Sequence, residues 1–266
     1  MEAVTGVFKS CPPAEAALQQ IHNSGIPSDK TTLLTPGTAE HVMKEAEAVP
    51  VDATEQPGMG KAFGALLGGG VGFAGGSALM ALVPGVGPVT ALGLLGAGIL
   101  AAAGATVGAR AGGKAEIASD EGLPEDEIFV YEDALRNGRC VVVAMANDES
   151  AATRVREILK QGGAESIDAA RDQWWVGLRS DEQSRYSASG RNFSKDEQFF
   201  RLGFQAAMHA RSRCKEFDQV SAEMDAALED VKSKHPGADV EEPFLQGYRR
   251  GREHYQQLCD ENRKVA

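Results

Sequence analysis

The 48 residues from Ala62 to Ala109 carry no charged side chain, and only Pro84-Gly85-Val86-Gly87-Pro88 breaks them. So long an uncharged run has few destinations: lipid, a protein core, or an unstructured linker. The tip divides it into arms of 22 residues (62–83) and 21 residues (89–109). At about 1.5 Å rise per residue, a helix of that length crosses a hydrocarbon layer of about 30 Å. Proline lacks an N–H and disfavours helix in the residue before it, so Pro84, Gly85, Gly87 and Pro88 end one helix and turn the chain. The sequence predicts a long, glycine-rich helical hairpin.

Small residues recur at every fourth position in both arms. Gly64, Gly68, Gly72 and Gly76 form one stripe, and Gly93, Ala97, Ala101, Ala105 and Ala109 form the other. Residues four apart share a helix face, and a face without bulky side chains lets two backbones approach closely. The hairpins are therefore expected to associate with one another. Two other readings stand beside the membrane hairpin: a flexible linker, since glycine costs a helix about 1 kcal/mol relative to alanine, and a helical core inside a homo-oligomer. Gly70-Val71-Gly72-Phe73-Ala74-Gly75 fits GxGxxG, but no acidic residue follows at the distance a dinucleotide site requires.

The formal net charge of -11 is carried outside the hairpin. Such a chain repels phosphates, and its one basic cluster is Arg249, Arg250 and Arg252, so nucleic acid is not an expected partner. Cys11, Cys140, Cys214 and Cys259 are widely separated and show neither CxxC nor Cys/His ligand spacing, which predicts reduced thiols and no metal. The residues after Met1 show no basic region leading into an apolar run, so no secretory signal is expected. Lys61, Arg110 and Lys114 flank the base of the hairpin, and positive charge is retained on the cytoplasmic side. The expected placement is the bacterial inner membrane with both termini cytoplasmic; the alternative is a cytoplasmic soluble assembly.

Residues 3–8 read as a strand. Ser10 then precedes a helix with Pro12 and Pro13 in its first turn and Ala14, Ala17, Leu18 and Ile21 on one face; Gly25 stops it, and residues 31–34 read as a second strand. Beyond the hairpin the pattern repeats. A helix opens at Leu123-Pro124-Glu125-Asp126-Glu127, Cys140-Val141-Val142-Val143-Ala144-Met145 is the clearest strand of the chain, a helix starts at Asp148 or Ser150, and residues 164–169 read as a further strand. Two βαβ halves of similar length predict an α+β, ferredoxin-like split βαβ sheet, interrupted by the hairpin.

Val4-Thr5-Gly6-Val7-Phe8, Ala14-Glu15-Ala16-Ala17-Leu18, Gly25-Ile26-Pro27 and Leu33-Leu34-Thr35-Pro36, followed by a hairpin with a Pro-Gly-Val-Gly-Pro tip, make residues 4–169 similar to the bacterial general stress protein domain, also called heat-induced stress protein. Gly122-Leu123-Pro124-Glu125-Asp126-Glu127, Tyr131-Glu132-Asp133-Ala134-Leu135 and Gly138 extend the resemblance. It implies a stress-associated, membrane-anchored protein without an established reaction, and it carries over no catalytic residue.

The C-terminal part carries a repeat of its own. Phe200, Gly203 and Phe204 recur as Phe244, Gly247 and Tyr248, in the pattern F-x-x-G-[FY]-x-x-[AG], 44 residues apart. Aromatic and small residues then share one helix face, so two helices can cross closely at Gly203 and Gly247. Residues 217–231 form an amphipathic helix between them through Val220, Met224, Ala227, Leu228 and Val231. Trp174-Trp175 is expected either to dock a polar linker onto the sheet or to sit at a membrane interface.

The expected organisation is a first βαβ half (1–35), an acidic linker (36–60), the hairpin (61–113), a second βαβ half (114–170), a polar linker (171–192) and a helical domain (193–262) whose protein partner the sequence does not name. No catalytic, cofactor or metal residue is expected: GxSxG, HExxH, Walker and EF-hand patterns are absent. His209 and His254 read as exposed or packing histidines, and the acids Asp120, Glu121, Glu125, Asp126 and Glu127 as helix-start charges. The expected function is non-enzymatic: a stress-linked anchor whose hairpins self-associate in lipid. The alternatives are a homo-oligomer or filament with stacked hairpins, and a thiol redox sensor in which Cys214 lies between Arg213 and Lys215.

Overall fold

The computed structural model describes residues 1–37, 78–83, 85–93, 95–103, 127–209 and 217–265. They comprise strands β1 (Glu2–Phe8), β2 (Thr31–Pro36), β3 (Ala78–Val83), β4 (Gly87–Leu92), β5 (Cys140–Ala146) and β6 (Glu165–Ser166). The helices are α1 (Cys11–Asn23), α2 (Gly96–Ala102), α3 (Ile128–Arg136), α4 (Glu149–Gln161), α5 (Ile167–Ser187), α6 (Phe193–Met208), α7 (Phe217–Lys234) and α8 (Glu241–Val265). The protein is mixed α and β. Two compact units divide it, Met1–Pro124 with Tyr131–Ile167 and Glu125–Val130 with Asp168–Ala266.

The first unit is built on a six-stranded sheet in the order β3-β4-β2-β5-β1-β6, with every neighbouring pair antiparallel. Alternation along the strands sorts the side chains. Val4 and Phe8 of β1, Leu33 of β2 and Cys140, Val142, Ala144 and Ala146 of β5 share a core with Ala14, Ala17 and Ile21 of α1 and Ala151, Ala152, Val155 and Leu159 of α4. On the opposite face, Thr5 Oγ1 lies 2.9 Å from Tyr131 Oη of α3. All seven residues of β5 are buried, as a central strand covered on both faces requires. Helix α1 starts with prolines in its first turn, and α4 is capped by Asp148, whose carboxylate accepts from Ala151 N at 2.8 Å.

The helical hairpin expected over 62–109 is corrected in its described part, residues 78–83, 85–93 and 95–103. Residues 78–92 form a β-hairpin, β3 to β4, in which Ala81 faces Val89 and Leu79 faces Ala91. Gly85 and Val86 turn the chain, and Gly85 at φ 79° and Gly87, the first residue of β4, at φ 99° take the backbone conformations that glycine allows where two strands reverse at short range. Each glycine in the arms opposes a helix, and the outer edge of β2 supplies backbone partners that a helix leaves unused: β4 pairs with Leu33–Pro36. Gly93 lies at φ 118° in the turn after β4, and Ala97 and Ala101 belong to α2, which is only seven residues long. Gly64, Gly68, Gly72, Gly76, Ala105 and Ala109 lie outside the described residues.

Among the described residues no helix is long and apolar enough to cross a membrane. This overturns the transmembrane hairpin, and with it the anchor function and the inner-membrane placement that rested on it. The expectation of reduced thiols is corrected as well, because Cys11 and Cys140 form a disulfide with Cα atoms 5.3 Å apart. Spacing along the chain hid the pair, since 129 residues separate two cysteines that the βαβ crossover brings together.

The second unit is helical. Residues 167–187, expected as strand and polar linker, form α5, because Ala170, Trp174, Glu182 and Tyr186 recur at multiples of four and are buried. Only Glu165–Ser166 of the expected last strand pairs with β1. The two tryptophans dock within this unit instead of on the sheet. Trp174 packs against Phe129 and Phe204, and Trp175 against Phe200 and Phe204, with ring centres 4.7–6.2 Å apart.

Candidate functional site: the outer hairpin

β3 is the outermost strand of the sheet, and Ala78-Leu79-Met80-Ala81-Leu82-Val83 contains neither charge nor proline. Its hairpin is fixed from three sides. Arg136 Nε, at the end of α3, donates to Gly85 O at 2.7 Å, Gly37 N donates to Pro88 O at 2.7 Å, and Thr32 Oγ1 donates to Leu92 O at 2.9 Å. Burial pushes the Asp133 carboxyl above the usual range, against the opposing pull of Arg136 beside it and the Asn137 amide. The latch on the tip is therefore a guanidinium held between a carboxylate and a backbone carbonyl.

The two faces of the hairpin differ. Ala81, Val83, Val89 and Ala91 are buried, and a Cβ placed on Gly96 of α2 would stand 2.5 Å from the Ala91 methyl, so α2 lies directly on that face. Leu82 points the other way and is 52% exposed, the most exposed leucine among the described residues. An apolar outer strand with an exposed leucine offers main-chain groups and hydrophobic area together. Chemically this surface can pair.

The second repeat-bearing site lies in the helical unit. Phe200, Gly203 and Phe204 of α6 meet Phe244, Gly247 and Tyr248 of α8 across a close crossing, in which a Cβ on Gly203 would stand 2.8 Å from the Phe244 carbonyl carbon and a Cβ on Gly247 2.8 Å from that of Phe200. All four aromatics are fully buried. His254 packs on Phe204 at 5.6 Å between ring centres, and Cys214 lies outside the described residues. Among the described residues no group of three or more His, Cys, Asp or Glu side chains is placed to hold a metal ion.

Sequence reasoning missed the charged network of this unit. Arg250 Nε and Nη2 donate to Glu182 Oε2 and Oε1 at 2.9 and 2.7 Å, and Arg250 also meets Glu253. Glu197 accepts from Arg179 at 2.6 and 2.7 Å and from Trp175 Nε1 at 3.0 Å; the Arg179 bond is the main force holding its carboxyl below the ordinary value. Tyr186 donates to Asp196 Oδ2 at 2.7 Å, and Arg191 bonds both Asp196 and Asp239, at 2.8 and 2.6 Å. Desolvation first, and the Asp196 carboxylate second, push the Tyr186 hydroxyl far up. An open depression beside Arg191 is lined by Gln183, Ser187, Asn192 and Ser194, but the arginine already faces two carboxylates, so the depression has no net pull on an anion. An acid inside the i, i+4 stripe of α5 was the one signal that could have revealed Glu182.

Sheet, hairpin and helical crossing define a protein of packing surfaces. No family model matches the chain, and no curated protein and no solved structure matches it.

Proposed function

We propose that this chain is a non-enzymatic structural protein that self-associates through the outer strand of its sheet. The observation that carries the reading is β3, an uncharged, proline-free strand at the edge of the sheet with Leu82 exposed beside it. A second copy is the fitting occupant, because two β3 edges placed antiparallel are self-complementary and close a two-fold dimer. A filament would need β3 to meet the opposite edge, and there β6 offers only two residues. The closed dimer is therefore favoured over the open assembly.

Two further points support the reading. The order β2-β5-β1-β6, with α1 and α4 in the connections and on one face, fits a ferredoxin-like sheet to which the β3–β4 hairpin adds two strands. The resemblance of residues 4–169 to the general stress protein domain carries over no catalytic residue, which is compatible with a protein without a reaction of its own. Sedimentation velocity on the full chain and on Leu82→Lys tests it. The native chain is expected to sediment as a dimer at tens of micromolar and the variant as a monomer with unchanged circular dichroism; a monomeric native chain, or a variant that remains dimeric, overturns the proposal.

A further inference from the structure

The two bonded cysteines differ in position. Cys11 is the first residue of α1 and only partly buried, whereas Cys140, at the start of β5, is wholly buried in the core among Phe8, Ala14 and Ala17. The bond closes a loop with a sequence separation of 129, and that loop includes β2, the outer hairpin and α3. We propose that Cys11–Cys140 is a reversible thiol–disulfide switch, in which Cys11 is the sulfur exchanged with small thiols such as glutathione and Cys140 is the resolving thiol.

Access decides the order of events. A glutathione thiolate reaches only the Cys11 Sγ; the new S–S bond forms there, the Cys11–Cys140 bond breaks, and the departing Cys140 sulfur takes up a proton and stays as a neutral buried thiol. A second glutathione then attacks its own kind in the mixed disulfide. Cys11 leaves as a thiolate and is reprotonated; the two glutathione thiols have given the cysteine pair two electrons and depart as glutathione disulfide. In the oxidising direction glutathione disulfide is the two-electron acceptor: the Cys11 thiolate, at the positive end of α1, attacks one of its sulfurs and releases the other glutathione as thiolate, and Cys140, giving up its proton, then displaces the bound glutathione by forming the intramolecular bond. The reduced Cys140 needs no new partner, since a free thiol behaves as a small apolar group in such a core.

The state of the bond sets how firmly β1 and α1 are held to β5. Cross-linking across a loop of this length restricts the unfolded chain strongly, so reduction is expected to lower the thermal midpoint of the sheet unit by roughly 10–20 °C. The test uses the full chain with Cys214→Ser and Cys259→Ser, equilibrated in buffers of varied glutathione to glutathione disulfide ratio, with alkylation mapped by mass spectrometry. The expected result is a ratio-dependent interconversion of the bonded and doubly alkylated forms without denaturant. In the same background Cys140→Ala is expected to accumulate glutathione on Cys11, and Cys11→Ala to accumulate none on Cys140. A pair that stays bonded, or stays reduced, at every ratio overturns the switch, and so does glutathione carried on Cys140. The mapping on the unmutated pair decides the matter even if a variant does not fold.

Discussion

At the scale of single residues, the group most exposed to loss is Glu182. Its side chain is 4% exposed and that of Arg250 is 16%, and two hydrogen bonds of 2.7 and 2.9 Å join them. Removing one partner of a buried pair costs about 3–5 kcal/mol where the other charge loses its compensation, and Arg250 would keep only the exposed Glu253, which sets the loss at the low end; replacing both by apolar residues is often close to neutral. Glu182→Ala is therefore expected to destabilise the helical unit by about 3 kcal/mol in urea denaturation, and Glu182→Leu with Arg250→Met to recover most of that loss. Equal losses in the single and double variants would mean that the pair is held by packing of the stems and not by charge. Neither residue is legible as a partner from the sequence. An acid on α5 and an arginine 68 positions later become a pair only once both helices are placed.

At the scale of elements, the crossing of α6 and α8 depends on two missing side chains. A methyl group on Gly203 or Gly247 runs into the facing backbone, which cannot move like a flexible side-chain end. Gly203→Ala and Gly247→Ala are each expected to cost about 1–3 kcal/mol, and the double variant less than the sum, because the first methyl already separates the helices. Chemical denaturation followed by tryptophan fluorescence reads this directly, with Trp174 and Trp175 packed against Phe204. The repeat F-x-x-G-[FY]-x-x-[AG] was visible because its spacing is the spacing of one helix face. Helices α1 and α4 are visible for the same reason, with recurrence at three and four residues in Ala14–Ile21 and Ala152–Leu159, and β5 is visible as a short valine-rich run, Cys140–Met145, bounded by Asn137-Gly138 and Asn147-Asp148. The outer hairpin misled. Ala78–Val83 is apolar throughout and Gly87–Leu92 has Thr90 as its one polar side chain, and so little alternation leaves no period to separate strand from helix over the surrounding uncharged run. What decides it is the free edge of β2, which belongs to another part of the chain. Leu82, on which the proposed assembly surface turns, for that reason reads in the sequence as one more apolar position in a helix.

For the molecule as a whole, a net charge of -11 sets two copies against each other before they meet. Pairing through an uncharged strand has to overcome that repulsion, and salt reduces it over a screening length of about 8 Å at physiological ionic strength. The dimer is therefore expected to tighten several-fold between 20 mM and 300 mM NaCl, measured by sedimentation equilibrium. Association that weakened with salt would instead require an interface held by ion pairs. The order of the sheet has a consequence for synthesis. β1 and β2 are made first but are not neighbours; the place between them belongs to β5. Residues 37–139 must all leave the ribosome before that place is filled, roughly 5–20 s at ordinary elongation rates. Until then the nascent chain holds two edges apart around an empty slot, and it is in that interval, more than in the finished protein, that a chaperone would find something to hold.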